Sequence, residues 1–302
     1  MQKAEGDMIR PIGFIGTGKM GSPMARNLLR AGFPLRIYDP DPQQVAPLVD
    51  LGAQAADSPG EAVDEGGIVF SMVPDDETLE QVISGDEGIL NKLGAGGIHV
   101  SMSTVSPGLV ERFATLYARQ GSAFLAAPVF GRPDVAEGGK LAIFLAGARP
   151  AKERVLPLLS LLGQHIFDFG EEAKSASVIK IAGNFLVAAA LEAMAEAAAL
   201  VEKYDIERSH FLEMIGMTLF NCPVYSGYGP MIAEHRYRPA LFRVPLGLKD
   251  VTLCLAAAQG ARVPMPLAHL VHDRLQVALN RGREALDWSA LALGVSEDAG
   301  LL

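Results

Sequence analysis

Apolar and polar positions in the first half of the chain follow two alternating patterns. Short apolar runs predict β-strands at residues 12–15, 35–38, 68–72, 97–101, 123–126, 142–146 and 165–167. Segments of helical period separate these runs, for example residues 23–30 and 107–119, and several open with the Ser or Pro that is typical of a helix start. Strands that alternate with helices indicate β-α-β units, and therefore a doubly wound parallel sheet.

The pattern changes near residue 170. No further strand is predicted after Gly170, and the remaining segments are helical and rich in Ala, Leu and Met, beginning with a long helix over about residues 173–204. We therefore predict an α/β domain over residues 8–170 and an all-helical domain over residues 171–302. A chain of 302 residues is long enough for two such domains.

The most apolar stretch, residues 181–201, contains Asn184, Glu192 and Glu196. A membrane span would carry these polar groups only at considerable cost, so we interpret the stretch as a buried helix and expect no membrane partner. Residues 1–7 contain no apolar core, and we do not expect them to be a secretory signal.

Charge and composition narrow the choice of partners. The net charge of -9 argues against nucleic acid, because phosphate backbones are bound by clustered Lys and Arg, so a small molecule is the expected partner. Cys222 and Cys254 form neither a disulfide framework nor a metal-binding spacing, which favours a reducing, cytoplasmic compartment. The six histidines also lack metal-binding spacing, and we expect no metal.

A glycine-rich turn lies between the first predicted strand and the first predicted helix. In Gly16-Thr17-Gly18-Lys19-Met20-Gly21, the first Gly permits a tight turn, the second lets backbone N–H groups approach a pyrophosphate, and the third lets helix and strand pack closely. The helix N-terminus then supplies a positive dipole end and N–H donors. The first domain is therefore predicted to be a dinucleotide-binding Rossmann domain, the alternative being a glycine turn without a ligand.

Asp39, at the end of the second predicted strand, bears on the choice of cofactor. A carboxylate at this point can accept hydrogen bonds from ribose hydroxyls and would repel a 2′-phosphate, which favours NAD over NADP. Two observations keep the question open. Asp39 also suits a turn before Pro40, and Arg36 lies on the same strand.

The turn and the helix after it carry a longer pattern that resembles the β-hydroxyacid dehydrogenase family. That family includes 3-hydroxyisobutyrate dehydrogenase and tartronate semialdehyde reductase, with 6-phosphogluconate dehydrogenase as a larger relative. The residues that carry the resemblance are Gly16-x-Gly18-x-Met20-Gly21-x-x-Met24-Ala25-x-Asn27-Leu28 and, further along, Met72-Val73-Pro74. The resemblance implies NAD or NADP as cofactor. It adds Lys19, Met20, Val73 and Pro74 to the glycines as cofactor contacts.

The segment Ser103-Thr104-x-Ser106-Pro107 is similar to the family segment at the nicotinamide end of the site. The resemblance makes Thr104 a cofactor contact. An ordinary helix-capping role is the competing interpretation.

The segment Ala126-Ala127-Pro128-Val129-Phe130-Gly131-Arg132 resembles the family's substrate loop but departs from its usual form. In that form Asp precedes Ala-Pro-Val, and Ser-Gly-Gly follows and cradles the substrate carboxylate. Here Ala126, Phe130 and Arg132 replace the Asp, the Ser and the second Gly. Gly131 keeps one flexible backbone donor and Arg132 offers a charged, forked grip on an anion, so both are candidate substrate-binding residues. The departure leaves the exact substrate open.

Lys180 and Asn184 are four residues apart, and therefore lie on one face of the long predicted helix. The resemblance implies that Lys180 is the general acid/base and that Asn184 positions the substrate. It also implies that Lys249, in the pair Lys249-Asp250, reaches toward substrate and nicotinamide. The competing interpretations are a solvated surface lysine and an ordinary exposed Lys-Asp pair.

The predicted function is an NAD(P)-dependent oxidoreductase that interconverts a small β-hydroxyacid and its semialdehyde or ketone. An imine reductase is one alternative, although such proteins usually lack the lysine, and a non-catalytic dinucleotide-binding protein is another. The Ala- and Leu-rich helical half and the resemblance both suggest a homodimer or homotetramer. The physiological direction of the reaction is left open.

Overall fold

The computed structural model describes residues 10–302. Residues 1–7, for which no secretory role is expected, and residues 8 and 9, where the first predicted domain begins, lie outside the described residues. The chain forms two compact units that divide between Lys180 and Ile181, and each unit is described by itself.

The first unit is built on a six-stranded sheet in which every paired neighbour is parallel. Its strands are β1 (Ile12–Ile15), β2 (Leu35–Tyr38), β3 (Gln54–Ala55), β4 (Ile68–Ser71), β5 (Ile98–Ser101) and β6 (Ala123–Ala126). They lie in the order β3-β2-β1-β4-β5-β6, so the chain runs outward from β1 in one direction and then crosses over to the other side. This order confirms the predicted doubly wound α/β fold.

Helices lie between most successive strands of the first unit along the chain. They are α1 (Gly21–Arg30), α2 (Pro42–Val49), α3 (Asp76–Ser84), α4 (Leu90–Leu93), α5 (Pro107–Arg119), α6 (Pro133–Glu137) and α7 (Arg149–Leu159). Successive residues of one strand point to opposite faces, so Phe14 and Phe70 belong to one apolar core while Ile15 and Val69 belong to a second. Burial on both faces explains why β1 and β4 consist mainly of apolar residues.

A second, three-stranded sheet contains β7 (Val129–Phe130), β8 (Leu141–Leu145) and β9 (Gly163–Asp168) in the order β7-β8-β9. Two of these strands were predicted, but as members of the parallel sheet, and that placement is wrong. The chain reverses between β7 and β8, so these two strands pair in antiparallel orientation, and β9 then pairs with β8 in parallel orientation to complete a separate sheet. Two-residue strands such as β3 and β7 are too short to show a period of two, and the sequence pattern missed both.

The second unit is helical. It contains most of α8 (Lys174–Glu202), followed by α9 (Arg208–Met217), α10 (Pro223–Ala233), α11 (Val244–Ala261), α12 (Pro266–Asn280) and α13 (Leu291–Asp298). The small residues Ala188, Ala195 and Ala198 of α8 are buried in the apolar core of this unit. The predicted long helix is therefore confirmed, and its alanine-rich face lets neighbouring helices pack closely.

In the described residues, α8 is also the one helix that is long and apolar enough to cross a membrane by length and composition. The core helix of a globular unit passes the same test. Glu192 of α8 is 2% exposed, and its carboxylate lies 2.8 Å from the guanidinium of Arg274 on α12. The buried ion pair and the surrounding core agree with the interpretation of α8 as a core helix.

Candidate functional site

The predicted cofactor residues of the first unit all follow the carboxyl ends of neighbouring parallel strands. The glycine turn follows β1, Asp39 follows β2, Val73 and Pro74 follow β4, and Thr104 follows β5. Because β2 lies on one side of β1 and β4 on the other, connections diverge there and leave a crevice at this edge of the sheet. The topology therefore gathers residues that are far apart in the sequence.

The three glycines of the turn meet different surroundings. Gly16 has a φ of +84°, and a Cβ there would overlap the carbonyl oxygen of Met72, while a Cβ on Gly21 would overlap the carbonyl oxygen of Gly16. Both positions therefore need Gly for the fold itself. Among residues 10–302, no atom lies within 4 Å of the position that a Cβ on Gly18 would take. The space over Gly18 is open, as the approach of a pyrophosphate requires.

The N-terminus of α1 has no side-chain cap. Met20 occupies the capping position and makes no capping hydrogen bond, whereas Asp41, Asp75 and Ser106 cap α2, α3 and α5 with their side chains. No acidic residue lies in the first turn of α1, and Lys19 is exposed beside it. Backbone donors, a positive helix end and a nearby lysine fit a bound pyrophosphate.

Asp39 is held against the glycine turn by two backbone hydrogen bonds. Its Oδ2 accepts from the amide of Thr17 at 2.7 Å and its Oδ1 from the amide of Asp41 at 3.0 Å. These contacts hold the carboxylate at the turn, where ribose hydroxyls can donate to it. The Arg36 guanidinium instead lies 2.9 Å from the carboxylate of Asp64 and donates to the carbonyl of Glu61.

Two serines that the sequence analysis did not select join the loops after β4 and β5. Ser103 Oγ accepts from the amide of Val73 at 2.8 Å, and the amide of Ser106 donates to Asp76 Oδ1 at 2.9 Å. Ser106 also caps α5, so Thr104 is not the cap of this helix. Ser103 stands directly before Thr104 in the quoted segment, which was the available signal for it.

The predicted substrate loop begins at the last residue of β6 and continues through β7. Phe130 pairs with Ala142 of β8, Gly131 follows with a φ of +140°, and Arg132 is the half-buried residue directly before α6. A Cβ on Gly131 would lie 2.6 Å from Leu141 Cδ2. This position therefore admits only Gly without rearrangement.

Lys180 lies beside this loop. Its side chain is buried, with 8% of the residue exposed, and its Nζ stands 4.1 Å from the centroid of the Phe130 ring. A solvated surface lysine, the competing interpretation, does not describe this position. The structure brings Lys180 together with the residue that replaces the family's serine, a contact that no local sequence pattern could reveal.

In the helical unit a buried carboxylate connects two predicted substrate residues. The amide nitrogen of Asn184 on α8 donates to the carboxylate of Asp250 on α11, and the Lys249 ammonium lies 3.0 Å from Asp250 Oδ1. Asp250 is 1% exposed, so the Lys-Asp pair is not an ordinary exposed one. An ionised carboxylate only accepts hydrogen bonds, and this identifies the Asn184 group that faces it as the NH₂.

The described part of the chain holds no cluster of three or more His, Cys, Asp or Glu side chains arranged to bind a metal ion.

Two known protein families match this chain, and the boundary between the two matches lies near residue 170, where the sequence pattern also changes. Residues 11–170 match the NAD binding domain of 6-phosphogluconate dehydrogenase. Residues 175–293 match the NAD-binding family of NADP-dependent 3-hydroxyisobutyrate dehydrogenase. Together these matches cover nearly all of the described residues.

Individual proteins agree with the family matches. The chain is 45% identical to an uncharacterized oxidoreductase, YfjR, of Bacillus subtilis, over 93% of this chain and 98% of that protein. It is 31% identical to the 3-hydroxyisobutyrate dehydrogenase of Pseudomonas aeruginosa, over 93% and 96% of the two chains. A solved structure of the Mycobacterium tuberculosis 3-hydroxyisobutyrate dehydrogenase with L-serine superposes with a TM-score of 0.84 at 26% identity, covering 95% of this chain and 99% of that one. The chain therefore belongs to the β-hydroxyacid dehydrogenase family and is an oxidoreductase that uses a nicotinamide dinucleotide.

Proposed function

We propose that this oxidoreductase interconverts a small anionic β-hydroxyacid and its semialdehyde or ketone, with Lys180 as the general acid/base. The observation that carries the proposal is the burial of the Lys180 ammonium group beside the substrate loop. Lysine is rarely buried, because removing an ammonium from water is costly, and Lys180 is buried beside the loop that resembles the family's substrate loop.

The chemistry assigns one proton to Lys180. In the oxidative direction neutral Lys180 takes the proton of the substrate hydroxyl as the carbon loses a hydride, and in the reductive direction protonated Lys180 returns it to the forming alkoxide. A nicotinamide dinucleotide, when bound, exchanges that hydride with the substrate. Asn184, Gly131 and Arg132 orient the substrate, and Lys249 assists at the end of the site shared by substrate and nicotinamide.

The cofactor is held by Gly16, Gly18, Lys19, Met20 and Gly21 at the turn, by Asp39 at the ribose, and by Val73, Pro74 and Thr104 toward the nicotinamide. NAD is preferred over NADP. Asp39 directs negative charge to the position of a 2′-phosphate, and Arg36 is already engaged by Asp64 and Glu61.

Replacement of Lys180 tests the mechanism. General acid/base catalysis contributes about 10²–10⁴-fold, so Lys180→Ala should lower kcat by at least about 100-fold while the dissociation constant for NAD stays unchanged. The matched control is Lys174→Ala, which removes a lysine from the same helix that pairs with Glu111 at the surface.

The assay follows the absorbance of reduced nicotinamide with both cofactors against β-hydroxyacids, aldehydes and cyclic imines. Near-normal turnover by Lys180→Ala would exclude the mechanism. Turnover of cyclic imines alone would identify an imine reductase, and tight NAD binding without turnover of any compound would favour a non-catalytic dinucleotide-binding protein.

We further propose a cytoplasmic homodimer or homotetramer. The support for assembly is a set of exposed apolar side chains on the helical unit, including Leu186, Leu200, Met217 and Leu219. Cys222 and Cys254 are both free thiols, which agrees with a reducing compartment. Light scattering should give two or four times the chain mass of 32.0 kDa, and a single chain mass at micromolar concentration would refute the assembly.

A further inference from the structure

The side chain under the Lys180 ammonium is an aromatic ring. Lys180 Nζ lies 4.1 Å from the centroid of Phe130, well within the roughly 6 Å over which a cation is attracted to a ring face. In the usual form of the family's substrate loop, which this segment resembles, a serine stands at the position of Phe130. A ring therefore stands where the family has a hydroxyl, at 4.1 Å from the ammonium of the proposed acid/base.

The Phe130 ring is held at the end of a cluster of aromatic side chains. The Phe130 ring packs edge-to-face against the ring of Phe144 on β8, with ring centroids 4.9 Å apart and ring planes at 83°. Phe144 in turn packs against Phe167 and Phe169, with centroids 6.1 Å and 6.0 Å away. Such edge-to-face pairs restrict ring motion and add stability beyond the buried area.

The backbone on either side of the ring is also constrained. Phe130 is paired with Ala142 in the antiparallel ladder of β7 and β8. The next residue, Gly131, packs so closely that a Cβ there would lie 2.6 Å from Leu141 Cδ2 and 3.0 Å from Val135 Cγ1. The ring therefore offers Lys180 a rigid surface.

We propose that Phe130 is a positioning residue for Lys180: its ring face holds the lysine ammonium and stabilises the protonated side chain in place. The inference rests on the proposed role of Lys180 as acid/base. Attraction to the ring quadrupole is much stronger for the charged amine than for the neutral one, so Phe130 favours the proton-donating form that the reductive direction requires. A side chain that cannot donate a hydrogen bond also excludes the serine-type grip on the substrate carboxylate at this position.

Substitution of Phe130 gives a readout that a structural defect would not give. Phe130→Leu keeps an apolar side chain but removes the ring face. The pH at which reduction is half-maximal, and the pH at which oxidation is half-maximal, should both move down by about 0.5–1 unit. Phe130→Tyr and Phe130→Trp keep a ring face and should restore the original pH profile.

A control and a second measurement make the result specific. Phe167→Leu removes a half-exposed ring on the far side of Phe144, and it should leave the pH profile unchanged.

In the protein labelled with ¹³C at lysine Cε, the Lys180 NMR signal is assigned by its loss in Lys180→Arg. Its protons should be shifted upfield by the Phe130 ring current in the protein without cofactor, and Phe130→Leu should remove that shift.

The outcomes separate this inference from the proposed function. If Lys180→Ala is inactive but Phe130→Leu moves neither the pH profile nor the Lys180 signal, Lys180 is the acid/base and the role of Phe130 is refuted. If Lys180→Ala keeps near-normal activity, the proposed role of Lys180 as acid/base is refuted, and the inference about Phe130 is refuted with it. A uniform loss of rate in Phe130→Leu, with an unmoved pH profile, would show a packing role only and would also refute the proposal.

Discussion

At the residue scale, the three glycines of the turn after β1 serve different purposes. Gly16 and Gly21 are required by protein atoms, because side chains there would overlap backbone carbonyl oxygens. Gly18 faces open space, and no atom of the described residues requires a glycine there. The approach of the cofactor therefore accounts for the glycine at position 18. Substitutions at Gly16 and Gly18 can separate an effect on stability from an effect on cofactor binding.

Gly18→Ala should leave the melting temperature within about 2 °C of the original, since one exposed methyl group costs the fold little. Its dissociation constant for NAD should rise at least about tenfold, equivalent to about 1.4 kcal/mol, because the methyl group blocks the pyrophosphate. Gly16→Ala should instead lower the melting temperature by several degrees, as a positive φ and an overlap both oppose it. Equal NAD binding by Gly18→Ala and the original protein, measured by titration calorimetry, would contradict the assignment.

Asp39 contributes one negative charge at the proposed ribose position. Asp39→Asn keeps the shape but weakens acceptance from the ribose hydroxyls and removes the charge that repels a 2′-phosphate. The Michaelis constant for NAD should rise roughly tenfold, while the ratio of kcat/KM for NADP to that for NAD should increase. Asp50→Asn, an exposed carboxylate beyond α2, is the control. An unchanged NADP/NAD ratio would remove Asp39 from the basis of cofactor choice.

At the scale of elements, one buried carboxylate joins α8 to α11 within the helical unit. Asp250 receives the Asn184 amide from α8, and the ammonium of its neighbour Lys249 is 3.0 Å away. The same contact orients Asn184, because its NH₂ is turned toward Asp250. Packing of two helices and presentation of a substrate residue are therefore coupled.

Asp250→Ala should destabilise the helical unit by about 3 kcal/mol, since it leaves a buried amide and an ammonium without their shared partner. It should also lower kcat/KM for the substrate more than it weakens NAD binding. Thermal unfolding and steady-state kinetics measure the two effects. Asp273→Ala, an exposed carboxylate on α12, should change neither. Unaltered stability in Asp250→Ala would show that the contact contributes nothing to the packing of these helices.

At the scale of the whole molecule, a buried histidine makes the stability of the α/β unit depend on pH. His99 of β5 lies between Ser71 Oγ, at 2.8 Å from Nε2, and the Tyr117 hydroxyl, at 2.9 Å from Nδ1. Burial lowers the pKa of His99 from 6.5 to about 3, and burial also raises the pKa of Tyr117. The neutral form of the imidazole is thus the one that the fold accommodates.

Because the unfolded chain binds a proton at His99 below about pH 6.5 and the folded chain does not until about pH 3, stability should fall across this window as pH decreases. The contribution of His99 is fully present above pH 6.5, and at pH 5 roughly 2 kcal/mol of it should be lost. Urea unfolding at pH 7 and pH 5 tests this. His99→Gln should lose less stability between the two pH values than the original protein, whereas His165→Gln, at an exposed position on β9, should not differ from it. An equal loss in His99→Gln would show that other groups account for the acid sensitivity.

Local patterns determined a large part of the fold. The bounds of β1, β2, β6 and α5 match those predicted, because strand and helix periods, turn residues and caps act over a few neighbouring residues. The glycine turn was likewise evident, since its geometry is specified by the residues it contains. The resemblance to a known family also predicted that the chain is a nicotinamide-dependent oxidoreductase of the β-hydroxyacid dehydrogenase family, and the comparisons confirm this prediction.

Tertiary structure alone decided which distant residues meet. The antiparallel pairing of β7 with β8 in the second sheet, the Phe130 ring under Lys180, and the Asp250 carboxylate on Asn184 each join residues many positions apart. Such contacts depend on how strands and helices pack in three dimensions, and no periodicity along the chain encodes them. The sequence by itself therefore determined the architecture and the class of cofactor, whereas the surroundings of the proposed catalytic lysine were decided by the packing of β7 and β8.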